Sequence, residues 1–146
     1  VAGWGSEQAE AYAMDNLRRM AKPSDFRQVK EIGRLRMCAT SDSYAASRAL
    51  LVEELVSGQD DGVLLALPSR DLLFAEPLEA ESVQDLVYLA LLARKSVSEL
   101  PYPLSGEVFW VRRQDWQRIP IRIEDGQMNV DATDEFGLVL KRLMGE

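Results

Sequence analysis

Apolar positions along the chain switch repeatedly between a helical and a strand spacing. Ala9, Tyr12, Ala13, Leu17 and Met20 recur at i, i+3 and i+4, which predicts an amphipathic helix over 6–20. Ser6 suits its N-cap and Glu7 its first turn. Lys22-Pro23-Ser24-Asp25 then stops the pattern. Over 34–40, Leu35, Met37 and Ala39 alternate with Arg34, Arg36 and Cys38, the period of a strand, here placed at a sheet edge. Ser41-Asp42-Ser43 offers caps for a second helix over 44–56. Its expected buried stripe is Ala46, Ala49, Leu50 and Leu55, and Gly58 is its stop.

Residues 63–67 are continuously apolar, as in a central strand covered on both faces. Pro68-Ser69-Arg70-Asp71 interrupts them and 72–75 resumes, predicting a tight hairpin whose second arm ends at Pro77. Ser82-Val83-Gln84-Asp85 has the form of a capping box and opens a third helix over 82–95. Apolar residues nearly encircle that helix, so it is deeply buried, or it covers a sheet and also meets a partner.

After the irregular Pro101-Tyr102-Pro103, strands are expected over 107–112, 117–123 and 128–130. Gln114-Asp115 and the hairpin signal Asp125-Gly126 connect them. A last helix starts near Thr133, with Phe136, Val139, Leu140 and Leu143 as its stripe.

The expected order is α-β-α-β-β-α-β-β-β-α. Consecutive hairpins argue for one α+β domain over 1–146, built on an antiparallel or mixed sheet with helices packed mainly on one face. The Arg-rich outward side of the late hairpin predicts that part of the other face meets water.

Composition narrows the chemistry. The 146 residues are 47% hydrophobic and 28% charged, the balance of a globular domain. The net charge of −7 is spread along the chain: residues 1–30 carry +1, 31–60 carry −2, 61–100 carry −4 and 101–146 carry −2. No segment is basic enough to suggest nucleic-acid binding, although Arg112, Arg113, Arg118 and Arg122 could gather on one hairpin. The longest apolar stretch, over 86–93, is far short of the roughly 20 residues that span a bilayer. No membrane association is expected, and no secretory-leader pattern is visible at the Val1 end.

The chain has no histidine, which removes Ser-His-Asp and Cys-His nucleophiles and His-containing zinc sites. Cys38 is the single cysteine and is expected to be a buried small hydrophobe. There is no Gly-rich phosphate loop and no dinucleotide fingerprint. Neither cofactor nor metal is called for. Paired acids such as Glu53-Glu54 and Asp60-Asp61 have no ion-binding spacing.

Three constellations stand out, each with a structural alternative. Arg70-Asp71 in a hairpin turn could hold an acidic group bidentately, or Asp71 could simply satisfy turn amides. Asp42-Ser43-Tyr44 with Arg48 marks a helix start, where an anion could dock or ordinary capping suffice. Tyr102, Ser105 and Gly106 precede Phe109 and Trp110. They could line a pocket or meet a partner peptide, or form a Pro-pinned connection over the core. Trp4-Gly5 reads as a packing anchor for the first helix.

Four blocks in order are similar to one family. They are Trp4-Gly5 with the helix ending Asp15-Asn16-Leu17; Asp42 to Leu51; Leu67-Pro68-Ser69-Arg70-Asp71-Leu72-Leu73; and Tyr102-Pro103-Leu104-Ser105. Together they resemble the YtpQ-like bacterial family of unknown function, over about residues 4–110. Three positions depart from that pattern: Tyr102 stands where the family has His, Gly106 where it has Pro, and Ser43 where it has Gly. The resemblance implies a cytoplasmic bacterial α+β domain and carries no reaction.

The leading expectation is an acidic, non-enzymatic protein-interaction module, adaptor-, chaperone- or immunity-like, with a protein partner or a second copy of itself. The alternative is a small-molecule or anion-binding domain, or a His-free enzyme, using Arg70 and Asp71. The candidate ligand- or partner-binding residues are Arg48, Arg70, Asp71, Tyr102 and Ser105.

Overall fold

The computed structural model describes residues 5–30, 32–56, 60–131 and 134–145. Trp4, Gly58 and Thr133 lie outside the described residues. The elements are α1 (Ser6–Met20), β1 (Arg27–Val29), β2 (Ile32–Cys38), a 3-10 segment (Ala46–Leu51) running into α2 (Val52–Leu55), β3 (Val63–Ser69), β4 (Leu72–Pro77), α3 (Ser82–Glu99), β5 (Val108–Arg112), β6 (Asp115–Ile119), β7 (Ile121–Glu124), β8 (Gln127–Val130) and α4 (Asp134–Leu143). A one-turn 3-10 helix at Pro23–Asp25 follows α1.

This is an α+β fold. Six antiparallel strands form the main sheet in the order β1-β2-β4-β3-β5-β6, and β7-β8 form a separate hairpin. The apolar run in β3 lies at the sheet centre. Its alternate residues feed two cores: Leu64 and Ala66 on one face, Val63 and Leu65 on the other.

The larger core joins Leu64, Phe74 and Trp110 to Leu86, Leu89, Ala90 and Ala93 of α3 and to Phe136 and Val139 of α4. The long helix α3 therefore covers this face, while Tyr88 and Leu91 point outward. The smaller core joins Val63, Leu65, Leu73 and Val111 to Ala45, Ala49, Val52 and Val56 of the 3-10/α2 segment. Cys38 is fully buried in it, and burial pushes its thiol up. Leu17 and Ala21 seat only the C-terminal end of α1, against Leu51.

Several expectations are corrected in detail. The second helix is mostly 3-10, whose tighter period changes the buried set. Ala45, Ala49, Leu51 and Val52 face inward, and Leu50 turns out to 62% exposure. The edge strand is β1, so β2 lies second from the edge. The expected strand over 117–123 breaks at Pro120, which has no N–H for a ladder, and becomes β6 and β7. Ser82 does not cap α3 in the box expected for it. Its hydroxyl accepts from the Glu79 N–H and donates to the Pro77 carbonyl, so it pins the loop before the helix.

Gly62 closes the turn into β3 at φ +92°. A Cβ there would lie 2.5 Å from the Val111 carbonyl, so only glycine fits. No helix among the described residues is long and apolar enough to cross a membrane.

Candidate functional site

The five expected residues do not converge. Arg48 is 2% exposed, and its guanidinium is satisfied by the fold. It donates to Asp25 at 2.9 Å, to Asp42 at 2.8 Å, to Thr40 at 3.1 Å and to the Tyr44 carbonyl at 2.9 Å. Asp42 also accepts from the Tyr44 N–H, forming an Asx turn that presents its carboxylate. The hydrogen bond from Arg48 holds the Asp42 carboxyl down at about 2. Arg48 thus ties the 3-10 segment to the loop before it and to the one-turn 3-10 helix that follows α1.

Arg70, Asp71 and Tyr102 do come together. Arg70 pairs with Asp71 at 3.1 Å, and its guanidinium lies 3.7 Å over the Tyr102 ring. Backbone bonds hold the cluster: Arg70 N–H to the Tyr102 carbonyl, and Ala46 N–H to the Arg70 carbonyl. Ser105 serves the same connection, its N–H donating to Leu67 O and its hydroxyl accepting from Glu107 N–H. Arg70 therefore has one edge on a carboxylate and one face on an aromatic ring. None of the four main clefts is lined by Arg70, Asp71, Tyr102 or Ser105; Arg48 borders one of the four, with Asp25 and Asp42. The late-hairpin arginines meet acids: Arg112 pairs with Glu135, Arg118 with Glu107 and Arg122 with Asp131.

Among these four clefts the most enclosed is a groove of about 420 Å³. Three elements build it: the middle of α1, the 3-10/α2 segment and the β5–β6 hairpin. Ala13 and Met14, Leu50 and Trp116 supply apolar floor and walls, and Glu10, Glu53 and Glu54 stand at the rim. Two polar ties fix its width. Arg18 donates to Glu54 at 3.2 Å, and the Gln114 N–H donates to Glu53 at 3.3 Å. Trp116 packs against Phe109 with ring centroids 5.7 Å apart yet stays 37% exposed.

The sequence reading missed this groove, although it contains a usable signal. Trp116 has the strand parity of Arg118, the outward side of β6, and an indole among outward residues marks a surface with a use. Leu50 could not be found so, because its exposure follows from the 3-10 winding. On α1, Ala9, Tyr12 and Ala13 were expected to be buried and are exposed, since only the last turns of the helix are seated.

Comparison of the chain with protein-family models, with curated proteins and with solved structures finds no match. The likeness to the YtpQ-like family accordingly rests on the four sequence blocks alone.

Proposed function

We propose that this chain is a protein-interaction module whose groove between α1 and the β5–β6 hairpin receives a basic amphipathic helix of a partner protein. The supporting observation is the lining of the groove. Leu50, Met14 and Trp116 offer an apolar seat, while Glu10, Glu53 and Glu54 outnumber the single cation Arg18. An apolar helix face fills such a seat, and flanking Lys or Arg residues answer the rim. The acidic balance of the whole chain favours the same sign of partner.

The test is a fluorescence titration with two designed amphipathic peptides about 14 residues long, four helical turns, sharing a Leu face but carrying Lys or Glu on the other. The Lys peptide is expected to shift Trp116 emission and bind at about 10–100 μM, weakening with salt. Trp116→Phe removes the signal and Leu50→Asp removes the binding. Leu50→Asp adds negative charge, so binding that survives or strengthens in this variant is mere charge attraction and overturns the groove. Equal binding of both peptides, or of neither, overturns the proposal as well.

A further inference from the structure

On the opposite face of the sheet a second cleft, of about 550 Å³, lies between β2 and α3. Val29, Ile32 and Leu92 give it apolar walls, Tyr88 an aromatic one, and Arg34 and Asp85 its polar end. Arg34 donates to Asp85 through Nε at 3.2 Å and Nη2 at 3.0 Å. Behind this pair sits Glu76 of β4, wholly buried under α3. Neither of its carboxyl oxygens accepts a hydrogen bond, and Arg34 Nε approaches no closer than 3.5 Å.

A buried carboxyl whose oxygens meet no donor is costly, and folds rarely keep one without a use. Asp85 and Glu81 face the single guanidinium of Arg34, and Glu76 stands behind it as a third acid able to ionise. The site therefore carries more potential anions than cations. Among the described residues no group of three or more metal-ligating side chains converges, so a metal ion does not fit. An organic cation does: its charge answers the carboxylates and its body fits the apolar and aromatic walls.

We propose that this cleft binds a small primary amine as its ammonium ion, with Asp85 receiving the charge, Tyr88 flanking it and Glu76 backing the site.

Burial, reinforced by the neighbouring Asp85, pushes the Glu76 carboxyl up to about 9, so it is neutral in the free protein at pH 7. The groups facing it are Asp85 and Ser82 of α3 and Arg34 of β2. An arriving ammonium favours the ionised form. The Glu76 O–H bond then breaks, its electron pair stays on the carboxylate and the proton passes to the buffer. Binding is thereby coupled to proton release and strengthens as pH rises from 6 to 9.

Calorimetric titration of the intact chain with cyclohexylmethylammonium tests this, run in phosphate and in HEPES so that proton release is read from the difference in heat. Cyclohexylmethanol is the neutral control, cyclohexylacetate the anionic one, and a short peptide with one lysine separates a free amine from a side-chain amine. The expected result is binding of the ammonium alone, with proton release. Asp85→Asn is expected to weaken it at least about tenfold, through loss of the charged acceptor. Tyr88→Ala, at an exposed position that leaves the core intact, is expected to weaken it about threefold, the scale of a lost cation–π contact. Glu76→Gln keeps the fold and abolishes the proton release. Binding of the alcohol or the acid as tightly as the amine overturns the proposal, as does indifference to both Asp85→Asn and Tyr88→Ala. Amine binding without proton release overturns the part given to Glu76, and preference for the lysine peptide overturns the free amine as ligand.

Discussion

Arg48 and Glu76 are both charged residue types sealed inside the fold, on opposite faces of one sheet, and the protein treats them in opposite ways. Arg48 makes five hydrogen bonds, two of its partners being carboxylates. Glu76 accepts none and is left against one distant guanidinium and a second acid. A buried charge with every polar atom answered is a joint: its removal is costly because its partners are stranded. A buried acid without donor partners avoids the cost of ionisation by keeping its proton, and that proton is available to a ligand or to alkali. Burial alone therefore says little about role. The state of the partners separates a joint from a site.

The largest expected effect comes from breaking the joint. Arg48→Ala strands Asp25 and Asp42 and leaves a hole the size of a long side chain. It is expected to destabilise the fold by about 3–5 kcal/mol, read by urea denaturation at pH 7. A loss under about 1 kcal/mol would show that Arg48 is dispensable to folding and would return it to the list of candidate binding residues.

The opposite sign is expected at Glu76. Its folded-state value of about 9 lies above the unfolded 4.5, so between these pH values the unfolded chain has lost the proton and the folded chain has kept it. Stability must fall as pH rises through that window. Glu76→Gln keeps the shape, removes the titration and is expected to stabilise by about 1–3 kcal/mol at pH 8 and negligibly at pH 4. Thermal midpoints of both proteins across this range check it; parallel curves would mean that Glu76 ionises freely in the fold.

At Asp42 the sign reverses again. Arg48 holds its carboxyl at about 2, below the ordinary 3.8, so its contribution is present above pH 3.8 and is lost as pH falls through about 2. Asp42→Asn is expected to flatten this acid limb and to cost about 1–2 kcal/mol at pH 7, a range reduced for solvent screening of its part-exposed carboxylate. Melting curves between pH 1.5 and 5, on the order of the interval between its two states, carry the test. An unchanged acid limb would detach Asp42 from the Arg48 joint.

Much of this was legible in the chain. The continuous apolar run over 63–67 announced a central strand, and the encircled helix over 82–95 announced α3, although the outward turn of Tyr88 and Leu91 was not read from it. What escaped did so for local reasons. Only Val29 of β1 is even partly buried, so a short strand beside a loop left no periodic trace. The winding of 46–51 depends on tertiary ties, Ala46 N–H to Arg70 O and Arg48 to two acids, which no helical spacing encodes. Glu76 was passed over because the apolar run of that arm stops at Ala75. Extended one residue, strand parity places it with Leu72 and Phe74 on the core side, where a lone acid is conspicuous. Asp85 was absorbed by a capping pattern, while in the fold its carboxylate belongs to Arg34.

The smallest expected effect sharpens the contrast at the level of backbone. Ser43 stands between Asp42 and Tyr44 at φ 68°, in the left-handed region that disfavours a Cβ. Its conformation delivers the Asp42 carboxylate to Arg48, so the joint is assembled at a local backbone cost. The strand bearing Glu76 contains no positive φ, and its cost lies wholly in the side chain. Ser43→Gly relieves the first kind of cost and none of the second. It is expected to stabilise by about 0.5–1 kcal/mol, less than the full left-handed penalty because glycine also frees the unfolded chain. The gain should appear equally at pH 5 and pH 8, as an electrostatic effect would not. This is also the turn where the YtpQ-like pattern has glycine, so the same denaturation curves test whether that preference is conformational. A loss of stability on Ser43→Gly would mean that the serine makes an interaction worth more than the strain it bears.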